Sequence, residues 1–102
     1  MKNYKLYIGL NDKNTLEQII DTQKAIEIIC NIIKEYKKGF SLVQQKGGYM
    51  MESGQYVFEN SLALSIFEIN EKQLFNFCDI FKKVFNQESI LIVEITESPL
   101  FY

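Results

Sequence analysis

The polar residues with the clearest capacity for chemistry form two short clusters, Gln87-Glu88-Ser89 and Glu59-Asn60-Ser61. A carboxylate pair such as Glu59 and Glu88 can transfer protons, and neighbouring amides and hydroxyls can orient a ligand. One hypothesis is therefore a small-molecule-binding protein or enzyme with a polar site at the Glu59/Gln87/Glu88 junction. Each cluster also has a purely structural explanation. Glu88 and Ser89 can close a turn before a strand, and Glu59 to Ser61 can face solvent or mark a bulge.

A second chemical possibility is base stacking by Tyr7. The segment Leu6-Tyr-Ile-Gly-Leu-Asn11 resembles the first-strand signature of an RNA recognition motif, in which an aromatic residue stacks on a base. The companion segment, Gly54 to Glu59, lacks the basic residue and the second glycine of that motif. The net charge of -2 also disfavours nucleic-acid binding, which needs a basic surface. RNA binding through the sheet face is kept as a further alternative.

Composition disfavours most catalytic chemistry. The chain has no histidine, the commonest general acid or base near neutral pH and the commonest zinc ligand. Cys30 and Cys78 lie in predicted helices among apolar residues, where free cysteines behave as small hydrophobes. We therefore expect no catalytic residue, no metal and no cofactor, and binding rather than catalysis.

The length and the N-terminus indicate a single domain, residues 1–102, in the cytoplasm. A chain of 102 residues can bury one core. The first residues lead directly into a predicted strand, without an apolar signal segment. No apolar run approaches the roughly 20 residues of a membrane span.

Hydrophobic periodicity predicts two β-α-β units. Alternation from Tyr4 to Leu10 predicts a strand, and helical spacing after an N-cap at Asp21 or Thr22 predicts a helix that ends at Gly39. Leu16–Ile20 is ambiguous between helix and loop, and we prefer a loop. Residues 40–45 are predicted as the second strand, Gly47-Gly48 can hold a bulge or a bend, and residues 49–51 can continue the strand. A turn at Gly54 then leads into a long strand over 56–69.

The second unit continues with a helix and a strand. Asn70 and Gln73 have the spacing of a capping box, and the apolar stripe runs from Leu74 to Phe85. Asn86 is predicted to end this helix, and residues 90–95 form the last strand. The order βαββαβ predicts a ferredoxin-like α+β fold, a four-stranded antiparallel sheet with two helices on one face.

Three segments together resemble an uncharacterised family of small bacterial and phage domains. They are Gly39-Phe-Ser-Leu42, Gly48-Tyr49 with Gly54-Gln-Tyr-Val-Phe-Glu-Asn-Ser-Leu-Ala-Leu64, and Phe85-Asn-Gln-Glu-Ser-Ile-Leu91. The resemblance covers about two thirds of the chain, and its most specific part is the Phe-Xaa-Gln-Glu-Ser helix-to-strand junction. It implies the same fold and an origin in phages or other mobile elements. It carries no assigned activity.

The open face of the sheet predicts an interface. Residues 90–93 are apolar on both faces, and Phe67, Ala63 and Tyr7 add to the face away from the helices. Apolar surface of that extent is typical of an interaction site, so we expect a protein partner, most simply a second copy in a symmetric dimer. The alternative is that the tail, Leu100-Phe101-Tyr102, folds back over this face.

A second candidate surface is the hairpin tip, formed by Tyr49, Met50, Met51 and Tyr56, since methionine and tyrosine adapt well to partners. Its alternative is a hairpin folded over the edge of the sheet. Small size, mild acidity and these aromatic residues favour a non-catalytic protein-interaction module, for example a phage inhibitor of a host factor with an anti-defence or anti-CRISPR role.

Overall fold

The computed structural model describes residues 1–97 and residue 100, and it has the predicted order of elements. They are β1 (Lys2–Gly9), α1 (Thr22–Glu35), β2 (Phe40–Met50), β3 (Tyr56–Ile69), α2 (Glu71–Val84) and β4 (Leu91–Ile95). The four strands form one antiparallel sheet in the order β2-β3-β1-β4. This is the ferredoxin-like α+β fold that the sequence predicts. Phe101 and Tyr102 of the predicted covering tail lie outside the described residues, as do residues 98 and 99.

The core lies between the helices and one face of the sheet. Alternate residues of β1 and β3 point at the helices and are fully buried, because a strand turns successive side chains to opposite faces. The helices contribute Ala25, Ile29 and Ile33 from α1 and an aromatic group from α2. The main members of this core are Leu6, Ile8, Leu62, Leu64, Ile66, Ile69, Leu74, Phe77 and Phe81. Both helices therefore pack on the same face.

The opposite face of the sheet carries the apolar residues that the sequence predicts there. Leu91 is 62% exposed and Val93 43%, Tyr7 and Phe67 are half-buried, and Ala63 is buried. Val43 of β2, which was not predicted there, adds a side chain that is 55% exposed. Ile92, on the other side of β4, packs against the core. What covers this face, whether a partner or the tail, stays a prediction.

Helix α1 begins as predicted and ends earlier than predicted. The side chain of Asp21 accepts a hydrogen bond from the Lys24 N–H, and the segment 16–20 is a loop. The prediction that Gly39 caps the C-terminus is wrong. The N–H groups of Tyr36 and Lys37 bond to carbonyls three residues earlier, which tightens the last turn, and Lys37 takes the left-handed conformation, φ 54°.

Helix α2 has only half of the predicted capping box. Asn70 accepts from the Gln73 N–H at 2.8 Å, whereas Oε1 of Gln73 is buried without a hydrogen-bond partner among the described residues. Asn86 ends the helix in the left-handed conformation, φ 48°, as predicted. Val84, predicted in the buried stripe, is 37% exposed, and the last strand begins at Leu91 rather than at residue 90.

Strand β2 runs on to Met50 rather than ending at residue 45, and it has no bulge at Gly47-Gly48, one of the two features that the sequence allowed there. The register of β2 with β3 is unbroken from Phe40 opposite Ile66 to Met50 opposite Tyr56. Gly48 instead provides room: a β-carbon there would lie 2.5 Å from the Tyr56 ring. Because β1 ends opposite Ser61, residues 46–60 project beyond β1 as a two-stranded extension, called the hairpin arm below.

Candidate functional site

A cavity of about 370 Å³ opens where β1 ends, on the sheet face away from the helices. Four parts of the chain meet there, namely the end of β1, the loop that follows it, the hairpin arm and the junction between α2 and β4. Its volume lies in the range of roughly 300–1,000 Å³ that is typical of small-molecule sites. The lining residues are Tyr7, Gly9, Asn11, Lys13, Leu16, Tyr49, Glu59, Ser61, Gln87, Glu88, Ser89 and Leu91.

The central acidic group of the cavity is the half-buried carboxylate of Glu59. Its Oε2 accepts a hydrogen bond from the backbone N–H of Asn11 at 2.9 Å. The same Asn11 donates through its side-chain Nδ2 to the Phe58 carbonyl at 3.2 Å. Oε1 of Glu59 has no hydrogen-bond partner within the described residues. One oxygen is thus held by the backbone, and the other is free to accept from a ligand.

Gly9 provides the space in which this carboxylate lies. A β-carbon at Gly9 would be 2.6 Å from either oxygen of Glu59, well inside van der Waals contact. Gly9 pairs with Ser61, two residues after Glu59. The Glu59 side chain therefore extends diagonally from β3 toward β1, and its carboxylate lies over the β1 backbone. A residue with a side chain at position 9 would displace the carboxylate.

The loop that supplies Asn11 is braced by the α2–β4 junction. Nε2 of Gln87 donates to the Asn11 carbonyl at 2.6 Å and to the Phe85 carbonyl at 3.3 Å. Nδ2 of Asn86 donates to Oδ2 of Asp12 at 2.7 Å, and the Lys13 N–H donates to the Asn86 carbonyl at 3.0 Å. Segments more than 70 residues apart in sequence are therefore joined beside the cavity.

Asp12 is an acceptor for several donors at this junction. Its second oxygen, Oδ1, accepts from the N–H groups of Asn14 at 2.9 Å and Thr15 at 3.1 Å. The bond from the Asn86 side chain, followed by that from the Asn14 N–H, lowers the pKa of Asp12 below its ordinary value, because hydrogen bonds to a carboxylate favour the charged form. Asp12 therefore remains an ionised anchor of the loop.

The charge of the described lining favours a cationic ligand. Two carboxylates, Glu59 and Glu88, line the cavity together with one ammonium group, Lys13. Two tyrosines, Tyr7 on β1 and Tyr49 on the hairpin arm, add aromatic surface, and Leu16 and Leu91 add apolar contact. The site thus combines a net negative charge with surfaces suited to a flat, partly apolar group.

Five of the nine predicted site residues line this cavity, namely Tyr7, Tyr49, Glu59, Gln87 and Glu88. The convergence of Glu59 with Gln87 and Glu88 is the arrangement that the small-molecule hypothesis requires.

The other four predicted site residues lie elsewhere. Met50 and Tyr56 pair with each other across the hairpin arm, on the face opposite Tyr49, and are 61% and 51% exposed. Met51 begins the turn at the tip of the arm, and Phe67 lies toward the far end of β3. Strand alternation and strand length separate these four residues from the cavity, and their roles in the hairpin-tip surface and the open sheet face stay predictions.

Sequence reasoning missed Gly9, Asn11 and Lys13. Gly9 and Asn11 fall inside the segment that resembles an RNA recognition motif, and Lys13 lies two residues beyond its end. A glycine inside an alternating strand indicates a close approach by another group, and this was the available signal. RNA binding through Tyr7 itself stays a prediction.

The described part of the chain, residues 1–97 and 100, holds no cluster of three or more potential metal ligands. It also contains no helix long and apolar enough to cross a membrane. Both thiols are free: Cys78 is buried and Cys30 half-buried. Burial, assisted by the neighbouring Asp79 carboxylate, raises the pKa of Cys78 to about 11.

The fold matches solved structures of phage enzymes. One is a phage SAM lyase in complex with S-methyl-5'-thioadenosine, with a TM-score of 0.66 and 23% identity over 88% of this chain and 76% of that one. Another is a phage SAM lyase in the apo state, with a TM-score of 0.61 and 24% identity over 90% and 78%. At these identities the likeness concerns the fold.

This finding contradicts the predicted main function. A non-catalytic interaction module was expected, and the two solved structures described above are phage SAM lyases, which are enzymes. The alternative, a small-molecule site or enzyme at Glu59, Gln87 and Glu88, agrees better with them and with the cavity.

The sequence itself matches a family model over residues 3–101, while no curated protein matches it. The match extends over nearly the whole chain, further than the two thirds on which the sequence resemblance rests, and it confirms the prediction of an uncharacterised domain family. The chain belongs to the family described as Protein of unknown function (DUF3574).

Proposed function

We propose that the cavity beside Glu59 binds S-adenosylmethionine and that the protein cleaves it as a lyase, with S-methyl-5'-thioadenosine as one product. The observation that carries the proposal is the Glu59 carboxylate at the cavity surface: its Oε2 accepts from the Asn11 N–H, and its Oε1 is free to accept from a ligand. The phage SAM lyases that share the fold over about nine tenths of this chain suggest the ligand.

Charge complementarity supports this ligand. S-adenosylmethionine carries a sulfonium, an ammonium and a carboxylate at neutral pH, and therefore a net charge of +1. The charged lining residues Glu59, Glu88 and Lys13 sum to -1. In a partly enclosed site, opposite charges attract more strongly than in bulk water. We propose that Glu59 binds one of these two cationic groups of the ligand.

The aromatic residues provide a place for the adenine. Tyr7 and Tyr49 line the same cavity from different strands. Stacking of a base on an aromatic side chain contributes about 1–3 kcal/mol. Because Tyr49 lies on the hairpin arm, which projects beyond β1, its ring can approach a base from the side of the arm.

The reaction makes modest chemical demands on the site. The bond that breaks joins the sulfur to Cγ of the aminobutyrate chain, and its electron pair stays on sulfur, which becomes a neutral thioether. Attack on Cγ by the substrate's own carboxylate forms a C–O bond and gives homoserine lactone. Atoms and charge balance without water, oxidant or proton transfer. The site has to hold the substrate with its carboxylate folded toward Cγ, which is catalysis by orientation.

Product analysis tests this proposal. Purified protein is incubated with S-adenosylmethionine at neutral pH, and products are quantified by mass spectrometry against a protein-free control that records spontaneous decay. We expect S-methyl-5'-thioadenosine and homoserine lactone above that background. Glu59→Gln should lose most of this activity, and Glu52→Gln, at an exposed turn position, should retain it. Substrate that decays no faster with folded protein than without it would refute the proposal.

A further inference from the structure

We infer that Gln87 is a positioning residue, which fixes the Glu59 carboxylate through the backbone of Asn11. The importance of this arrangement for catalysis rests on the proposed function. The geometry itself does not, because it concerns how three residues of the chain hold one another.

The first step is the bond between Gln87 and Asn11. Nε2 of Gln87 donates to the Asn11 carbonyl at 2.6 Å, a short contact for an amide donor, and also reaches the Phe85 carbonyl at 3.3 Å. Both acceptors are carbonyl oxygens, so an amide NH₂ group suits the position and a carboxylate does not.

The second step is the bond between Asn11 and Glu59. The Asn11 N–H points at Oε2 of Glu59 at 2.9 Å, while the Asn11 side chain is bonded to the Phe58 carbonyl. Asn11 is thus held on one side by β3 and on the other by Gln87. Its carbonyl and its N–H belong to two peptide planes that share the Asn11 α-carbon, so a displacement of that α-carbon after loss of Gln87 would move the N–H away from Glu59.

The third step distinguishes a specific effect of Gln87 on Asn11 from a general stabilisation of the loop. The neighbouring side chain, Asn86, bonds to Asp12 and stabilises the same loop, but it has no bond to Asn11. If Gln87 acted only by holding the loop in place, removal of either side chain would have the same effect on Asn11. Positioning predicts an effect from Gln87 alone.

The test compares Gln87→Glu with the control Asn86→Gly. Gln87→Glu keeps the size and replaces the donor by an acceptor facing two carbonyls. Asn86→Gly removes the bond to Asp12 and keeps a left-handed backbone accessible. With asparagine labelled selectively with ¹⁵N, hydrogen exchange of the Asn11 amide is measured by NMR. We expect exchange about tenfold faster in Gln87→Glu, the equivalent of one ordinary hydrogen bond, and less than about twofold faster in Asn86→Gly.

Ligand binding completes the test. For this measurement Gln87→Met is used, because it removes the amide donor without adding a charge to the cavity; it should weaken binding of S-adenosylmethionine about tenfold, with binding of neutral S-methyl-5'-thioadenosine changed by less than about threefold. Unchanged Asn11 exchange in Gln87→Glu, or an equal increase in both variants, overturns the inference. If the wild-type protein binds neither ligand while the exchange difference appears, the positioning of Glu59 stands and the proposed function fails.

Discussion

The carboxylate of Glu59 lies over the α-carbon of Gly9, so close that a methyl group on Gly9 would be 2.6 Å from both oxygens. This contact places the acidic group at the end of β1, beside the Asn11 N–H that binds it. The absence of a side chain at position 9 is therefore part of the site. The atoms that would clash belong to the far end of a flexible side chain, so the relationship controls the carboxylate more than the fold.

Gly9→Ala should weaken ligand binding with little effect on the stability of the fold. Alanine suits a strand interior better than glycine, by roughly 0.5–1 kcal/mol, and this gain offsets the cost of moving one side chain. We expect the free energy of unfolding to change by less than about 1 kcal/mol, and affinity for S-adenosylmethionine to fall more than about tenfold. Denaturant titration and calorimetry measure the two quantities.

Gly47→Ala is the matched control for Gly9→Ala. Gly47 pairs directly with Glu59 in the sheet, and a β-carbon there would meet nothing within 4 Å. Affinity should stay within about twofold of the wild type. Equal loss of binding in the two variants would mean that glycine on either strand matters for another reason.

The half-formed capping box of α2 has a measurable consequence. Asn70→Ala removes the bond to the Gln73 N–H and should lower the free energy of unfolding by about 1 kcal/mol. Gln73→Met removes a buried oxygen that has no partner among the described residues, so it should be neutral or stabilising. A reciprocal capping box would instead make both variants destabilising, and chemical denaturation distinguishes the two cases.

Acid should weaken the loop through Asp12. The pKa of Asp12 is lowered in the folded state, first by the Asn86 side chain and then by the Asn14 N–H. Its contribution is therefore fully present above the unfolded value near 3.8 and is lost as pH falls through the lower folded value. Thermal melts from pH 6 to pH 2 should show a smaller acid loss for Asp12→Asn than for the wild type. Identical acid profiles would exclude this contribution.

Cys78 should be inert at neutral pH. Burial raises the pKa of its thiol to about 11 in the folded protein, from an ordinary value of 9.0. Since the thiolate is the reactive form, iodoacetamide at pH 8 should modify Cys78 in a Cys30→Ser variant only slowly, and rapidly after unfolding. Its stabilising contribution is fully present below pH 9 and is lost as pH rises through 11. Fast alkylation of the folded variant would contradict this.

The fold was predictable because each element carries a local signal. Strand β3 matches its predicted limits, 56–69, since alternation and the Gly54 turn mark its start and Asn70 marks its end. Predictions failed where tertiary contacts decide local structure. The glycines at 47 and 48 indicated a bulge from sequence, whereas the ring of Tyr56 explains Gly48.

The site was only partly predictable, for a related reason. Glu59, Gln87 and Glu88 have informative side chains, so their polarity within apolar surroundings marked them. Gly9 contributes space, and a glycine within an alternating strand does not show which group fills that space. Asn11 contributes a backbone N–H, which any residue except proline would supply. The register that brings Glu59 over Gly9 follows from pairing across 50 residues, which sequence spacing alone does not fix.

Calorimetric titration of S-adenosylmethionine into the wild type and Glu59→Gln, each compared with S-methyl-5'-thioadenosine, tests the central claim most directly. The substitution keeps the shape of the side chain and removes its charge. We predict that the wild type binds both ligands, and that Glu59→Gln loses at least about tenfold in affinity for the cationic ligand and less than about threefold for the neutral one. Equal affinity of wild type and variant for S-adenosylmethionine, or no binding by the wild type, would contradict the account.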